Sequence, residues 1–489
     1  MPRKPHQQHF TDASDINNLM SSLLGNVDGK TILEPSVGTG SLLKNLSGTP
    51  ALIDGVDIDQ QMLDNAKVNL KQLPVKLHRL DYIDYSVRRE EIGEPLLMHG
   101  LYDGTIANPP YGIKFTEQYR KELKKTLPDF YVRESYGLFL YFAIKELRHG
   151  GKYVFLVPDT FLSNRNHVGL RRFLLNHTSL EYLIRFPSKV FQSVNFGYGN
   201  LCIISGRRAN MGSNHNLRWI DAFDTQGSIT SAWNNDSSVN YSRDLLEENV
   251  ETGWHSQMHV WKTTFGKWPR LGDLAECKTG IYTGDNKSYI GFDPTRVTRR
   301  LNGHAINWDD EVCKGLPSQY EQRNGLEGEQ RYVKLVRGGY REFNSSTPWA
   351  LKWTPETLRH YRSDRKARFQ NSQFYFRSGL AVPMVSARGL SASFMRNSVF
   401  DQGVVGIFPH DTSTLEALLL YLNSTIASDV RNVMMNNGAN NSANYLRRLP
   451  VPTFDLASTT LARSVVERAI LRGKLSLEDC DEFVKTVTT

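Results

Sequence analysis

Along the first two hundred residues, apolar runs too short for helices alternate with longer segments in which apolar positions recur every three or four residues. Runs at 31–33, 51–56, 75–80, 101–107 and 152–157 read as buried strands, while 60–70 and 136–148 carry helical spacing. This alternation predicts a mainly parallel sheet with helices on both faces, a doubly wound α/β unit. Two further apolar runs, 179–186 and 200–205, predict an antiparallel edge around 187–198, so that the first domain spans 1–208.

Residues 209–250 are rich in Asn, Ser and Asp and hold one weak strand-like piece at 217–220, the pattern of a connector with little core. From 251 to 489 the text is irregular and rich in aromatics, Gly and Arg. Strands are expected there at 332–336, 380–386 and 404–408, and a helix at 414–434. The expectation is a second domain of mixed α+β character.

A chain of 489 residues is too long for one core, which agrees with two domains. Its formal charge of +8 and pI near 9.1 favour a polyanionic partner without naming one. Cys202, Cys277, Cys313 and Cys480 are too scattered for a zinc site or a disulfide framework, so reduced thiols are expected. No apolar core follows the basic start Met1-Pro2-Arg3-Lys4-Pro5-His6, and no run of about 18 apolar residues occurs. A cytoplasmic protein outside the membrane is expected.

Candidate chemistry gathers at the ends of the predicted strands. Glu34-Pro35-Ser36-Val37-Gly38-Thr39-Gly40 follows the first strand and precedes Leu42-Leu43, where Gly38 and Gly40 would let a ligand approach the backbone at a helix N-terminus. A dinucleotide fingerprint needs a third glycine that is absent, and the leading Glu34 suits a cationic ligand. Asp57-Ile58 ends the second strand, where an acid can grip ribose hydroxyls. Asp81-Tyr82 ends the third and can meet an adenine ring by hydrogen bond and packing. A single strand-end Asp is commonly only a helix cap; acids at three successive strand ends point to a nucleotide-like ligand.

Asn108-Pro109-Pro110-Tyr111 closes the fourth strand. Asn and a proline carbonyl supply acceptors, the prolines stiffen the backbone, and Tyr offers a flat face to a planar group. That set suits a neutral amino group that must act as a nucleophile.

The ordered set Glu34 to Gly40, Val56-Asp57-Ile58-Asp59, Leu80-Asp81 and Asn108 to Tyr111 resembles S-adenosylmethionine-dependent amino-methyltransferases, in particular N6-adenine DNA methyltransferases of the gamma arrangement found in restriction-modification systems. The resemblance implies S-adenosylmethionine as methyl donor, no metal, and double-stranded DNA as substrate. It further implies a monomer, with any cognate restriction endonuclease a separate protein. By the same resemblance Thr11, in His9-Phe10-Thr11, would cover the methionine end of the cofactor, although Asp12 stands where the family has Pro. Phe191 in Lys189-Val190-Phe191-Gln192 would stack on an extruded base beside Tyr111, with core packing as the alternative for Phe191. Leu271-Gly272-Asp273-Leu274-Ala275-Glu276, the segment Thr279-Gly280-Ile281-Tyr282-Thr283-Gly284-Asp285-Asn286-Lys287 and the closing Tyr445 to Pro452 are similar to target-recognition regions.

Basic clusters at Arg299-Arg300, 359–368, Arg388 and Arg447-Arg448 suit phosphates. N4-cytosine methylation, and methylation of RNA or of a protein glutamine, stay open because the same acceptor pair serves any planar amine. A non-catalytic DNA-binding protein on a decayed core would show damaged motifs, and here they are intact.

Overall fold

The structure is a computed structural model that describes all residues except 1–13, 93–96, 98–99, 192–198, 211–215, 224–232, 234–237, 298–302, 340–341, 387–388, 435–439 and 489. The chain divides into two compact units, Met1–His259 and Val260–Thr489.

In the first unit the described strands form one sheet. They are β1 (Thr31–Glu34), β2 (Leu52–Asp57), β3 (Val75–Arg79), β4 (Tyr102–Ala107), β5 (Leu147–Pro158), β6 (Thr178–Pro187), β7 (Asn200–Arg208), β8 (Asn216–Asp221) and β9 (Val239–Ser242), in the order β3-β2-β1-β4-β5-β7-β6-β8-β9. The first five run parallel, and β7 enters antiparallel between β5 and β6. Alternate residues of the central strands face opposite layers. Ile32, Ile53, Ile106, Val154 and Leu156 pack with helix α1 (Ser14–Leu24). Leu33, Val56, Ala107, Phe155 and Val157 pack with the residues of α3 (Tyr82–Ile92) and α5 (Ser135–Glu146). Between these lie α2 (Gln60–Asn69) and α4 (Glu117–Thr126), and α6 (Thr160–Ser163) and α7 (Val168–His177) follow. Both faces of the parallel strands are covered, as a doubly wound sheet requires.

Two expectations need correction. The β6–β7 pair forms as foreseen, but it is not the edge, because β8 pairs with β6 and β9 with β8. The segment 209–250 is therefore part of the sheet rather than a coreless connector: Leu217, Trp219, Ile220, Tyr241, Leu245 and Leu246 are buried, as is Trp254 beyond it. The weak strand-like piece at 217–220 is β8, and the polar composition hid β9 and the few large apolar side chains that do the packing. The loop after β1 also leads to no long helix; a single turn of 3-10 helix at Leu43–Asn45 follows, ended by Gly48 and Pro50, so a helix N-terminus is not what faces a ligand there.

The second unit carries a four-stranded antiparallel sheet, in the order Ala275–Thr279, Val404–Pro409, Gly379–Pro383, Ser393–Met395. A second, mixed sheet orders His304–Ala305, Ile290–Phe292, Trp349–Lys352, Tyr332–Val336 and Val399–Phe400. The expected helix at 414–434 is two helices, Leu415–Leu422 and Thr425–Met434, broken at Asn423-Ser424. The first buries every residue from Ala417 to Leu422, because Leu456–Arg472 and Leu477–Thr488 pack against it. The closing segment returns to the opening one: Leu271 N–H donates to the Leu449 carbonyl and Val451 N–H to the Pro269 carbonyl.

Candidate active site

The C-terminal ends of β1, β2, β3 and β4 bound one cavity, walled by Pro35, Ser36 and Gly38 from the first, Asp57 and Ile58 from the second, Leu80, Asp81 and Tyr82 from the third, and Asn108 to Tyr111 from the fourth. The edge of an open parallel sheet is where such folds bind ligands, since successive loops converge there.

The loop after β1 is held by the neighbouring strand. Gly38 N–H donates to Asp57 Oδ2 at 3.0 Å, and Asp59 N–H donates to Asp57 Oδ1 at 2.9 Å. Gly38 has φ +52° and Gly40 φ +78°, conformations that favour glycine, and a Cβ at Gly40 would stand 2.6 Å from the Leu70 side chain. Asp57 thus anchors the loop as well as facing the cavity. Glu34 and Gly40 belong to this loop but not to the cavity wall. Glu34 is 2% exposed, its Oε2 has no hydrogen-bond partner among the described residues, and burial together with the nearby Asp57 charge pushes its carboxyl well above the usual range. A cation bound beside these two acids would favour the ionised form.

Asp81 is both cap and wall, since its carboxylate accepts from Asp84 N–H at 3.2 Å at the start of α3. Tyr82 lines the cavity, but its ring stacks on Phe139 at 5.6 Å and is 2% exposed, so most of its surface is spent on the core. The apolar walls that sequence reasoning missed are Ile113, Phe115 and Phe139. Ile113 and Phe115 follow the Asn-Pro-Pro-Tyr run at alternate positions, the one signal that marked them.

Within that run, Ser135 Oγ donates to the Pro110 carbonyl at 2.6 Å and ties the loop to α5. The Tyr111 hydroxyl lies 2.6 Å from Asn108 Oδ1 and 2.9 Å from the Leu156 carbonyl. Its ring meets Tyr136 edge-on at 6.5 Å. Tyr136 is braced in turn by Thr160 Oγ1 at 2.8 Å and His167 Nε2 at 3.1 Å, with burial pushing the His167 pKa down to about 3. A neutral imidazole therefore supports the aromatic wall.

Phe191 is not in the cavity wall; it is 6% exposed and packs with Ile184, Phe186 and Leu201, in a cluster that Tyr111 also touches. Core packing is its observed environment. Thr11 lies outside the described residues, as do Arg299, Arg300 and Arg388. No group of three or more metal-ligating side chains occurs among the described residues, and no helix among them is long and apolar enough to cross a membrane.

Residues 3–243 match the family model N-6 DNA Methylase. Its methyl donor is S-adenosylmethionine, which the buried Glu34 carboxylate and the strand-end acids fit. The chain is similar to the Type II methyltransferase M.HindII of Haemophilus influenzae, 28% identical over 384 residues that make up 71% of this chain and 67% of that one. It is also similar to a tRNA (guanine(10)-N2)-dimethyltransferase of Methanothermobacter thermautotrophicus, 25% identical over 196 residues, 38% of this chain and 53% of that one. The alignments with curated relatives span 33% to 67% of those proteins. In fold, the chain is similar to the Type IIL restriction-modification enzyme MmeI, solved in complex with DNA, at a TM-score of 0.54 and 11% identity over 96% of this chain and 72% of that one.

Proposed function

We propose that the protein is a sequence-specific DNA methyltransferase that methylates the N6 amino group of an adenine within its site, in the modification role of a restriction-modification system. The observation that carries this reading is the Asn108-Pro109-Pro110-Tyr111 loop, clamped at the sheet edge beside the cofactor cavity with its Asn amide held by a phenol.

An adenine amino nitrogen is a poor nucleophile because its lone pair is delocalised into the ring. Two acceptors, the Asn108 side-chain oxygen and the Pro109 carbonyl, would accept hydrogen bonds from its two N–H groups and favour a pyramidal nitrogen whose lone pair points at an electrophile. The Pro110 carbonyl is spent on Ser135, so it fixes the loop. S-adenosylmethionine, when bound, supplies a sulfonium methyl to that lone pair. Pro35, Gly38, Asp57, Ile58 and Asp81 would hold it, with Glu34 supplying negative potential from beneath. Holding donor and acceptor in line supplies much of the rate.

Because N6 lies inside the duplex, the base must leave the stack at a cost of a few kcal/mol. Tyr111, at the loop tip, is assigned the compensating stack. The second unit is assigned target recognition, and the match of residues 3–243 to the N-6 DNA Methylase model supports DNA as the substrate. Similarity to a tRNA guanine dimethyltransferase favours RNA as the second reading.

The experiment is to incubate the protein with unmethylated duplex DNA and labelled S-adenosylmethionine, then to identify the modified nucleoside by mass spectrometry. N6-methyldeoxyadenosine is the expected product. N4-methyldeoxycytidine would reassign the base, and label appearing only in RNA would overturn the DNA reading.

A further inference from the structure

The second unit has its own cavity of about 390 Å³, and the segment Thr279 to Lys287, whose role the methylation chemistry leaves unassigned, forms one wall of it. The opposite wall is set by strand register. Tyr332–Val336 and Val399–Phe400 run parallel with Val336 beside Phe400, so Arg337 and Asp401 emerge side by side from the same strand ends. Arg337 Nε donates to Asp401 Oδ2 at 3.1 Å, and the guanidinium lies 4.6 Å from the centre of the Trp349 ring. Gly403 N–H, at 2.7 Å, pins the other Asp401 oxygen. The arginine is thus braced by a carboxylate and an aromatic face, with 18% of its side chain exposed.

Across the cavity the Thr283 hydroxyl donates to the Asn286 amide oxygen at 2.9 Å, which leaves the amide NH2 as the group that Asn286 can offer. The polar ends of Tyr282 and Gln402, which line the same space, have no side-chain hydrogen bond among the described residues. The set is rich in donors and rigid on the arginine side.

We propose that this cavity reads the major-groove edge of a guanine in the target site, with Arg337 as the principal reader. The proposal rests on the DNA reading above. Guanine is the base that offers two adjacent acceptors, N7 and O6, to a planar fork of donors. A phosphate clamp is a worse fit to the same residues. Phosphate binding draws on net positive charge, and Asp401 at 3.1 Å cancels that of Arg337 at a distance while leaving its donors directional.

The test compares wild type with Arg337→Met/Asp401→Asn, which removes the fork without stranding a buried carboxylate. Each protein methylates a randomised duplex library with S-adenosylmethionine, and single-molecule sequencing reads the modified words. The expected result is a wild-type word containing a G·C pair that becomes degenerate at that one position in the variant, with the rate on the original word falling about 10- to 100-fold. An unchanged word, made at the same or a uniformly lower rate, would overturn the proposal and leave a structural or phosphate role. If the double variant lacks the wild-type melting transition, Arg337→Lys decides: it keeps the charge and loses the fork, so a guanine reader fails at one position while a phosphate clamp does not. A wild-type protein that methylates no DNA removes the functional reading as well. A wild-type word that no variant alters at a G·C pair removes the guanine assignment alone.

Discussion

The cavity at the strand ends of the first unit and the Arg337 cavity of the second are built in opposite ways. In the first unit the polar groups around the cavity are largely bound by the protein itself: Asp57 holds two backbone N–H groups, Asp81 caps α3, Ser135 takes the Pro110 carbonyl and Tyr111 holds Asn108. In the second unit Arg337 is braced, but the polar ends of Tyr282 and Gln402 and the Asn286 NH2 bring hydrogen-bonding groups that no side chain among the described residues satisfies. A site that performs one reaction on one cofactor gains from pre-organised groups, because nothing need move as charge develops. A surface that discriminates among partners gains from groups whose pairing is completed only by the right one, since a wrong partner then leaves them unpaired.

The sharpest way to break the comparison is to ask whether the first unit ends where its polar sequence suggests. Trp219 is 1% exposed, donates to Asp221 Oδ1 at 2.8 Å and meets Tyr241 edge-on at 5.9 Å. Trp219→Ala is expected to cost about 3–5 kcal/mol, the range for a fully buried aromatic. Hydrogen exchange should then rise across β6, β7 and β8 while peptides of the second unit keep their protection. A cost below about 0.5 kcal/mol, the level of a surface change, would restore the connector.

The parallel strands, their order of appearance and the motifs at their ends were legible because each motif is contiguous with the strand that carries it: Glu34 with β1, Asp57 with β2, Asn108 with β4. The register of a parallel sheet then brings them together without further information. β8 was read only as a weak strand-like piece and β9 not at all, because the two strands carry four buried apolar residues within an Asn- and Ser-rich stretch. Phe191 carried two readings, base stacking and core packing, because a motif gives no burial; it is 6% exposed. The second cavity was not legible at all: Tyr282, Arg337, Trp349 and Asp401 are brought together by pairing between distant segments, and no local spacing encodes that.

Next in size is Asn108→Ala, which tests whether the pre-organised acceptor acts in the reaction. Loss of a group that stabilises developing charge costs about 10²–10³ in kcat. The variant should fall by at least that factor under single-turnover conditions while cofactor binding by calorimetry stays within about twofold. Wild-type turnover would remove the acceptor role.

Tyr111 separates clamp from stack. Tyr111→Phe keeps the ring and deletes the hydroxyl that joins Asn108 to the Leu156 carbonyl. A hydrogen bond of about 1 kcal/mol predicts a fall in kcat of roughly fivefold with KM unchanged. Tyr111→Ala also removes the base stack, so its KM for DNA should rise. Equal kinetics for the two variants would show that the phenol clamp does everything and that the ring's stack on the base is incidental.

The smallest expected effect on stability concerns Glu34, and it has two signs. Burial raises its carboxyl pKa above the unfolded value of 4.5, so in cofactor-free protein the folded state holds its proton longer than the unfolded chain does. Stability from this group is therefore full below the unfolded pKa and declines as pH rises towards the folded one. Glu34→Gln removes that decline, and the cofactor-free variant should melt slightly higher than wild type at pH 8, with the difference vanishing near pH 4. Cofactor binding runs the other way, because a sulfonium and an ammonium favour the ionised carboxylate. Wild-type affinity for S-adenosylmethionine should strengthen as pH rises through the raised pKa and then level off; in Glu34→Gln it should be weaker by about tenfold and flat over the same window. Melting curves and titration calorimetry from pH 5 to 8 read both arms. A variant with lower stability and unchanged affinity would place Glu34 in the packing of the loop, with no part in attracting the cofactor.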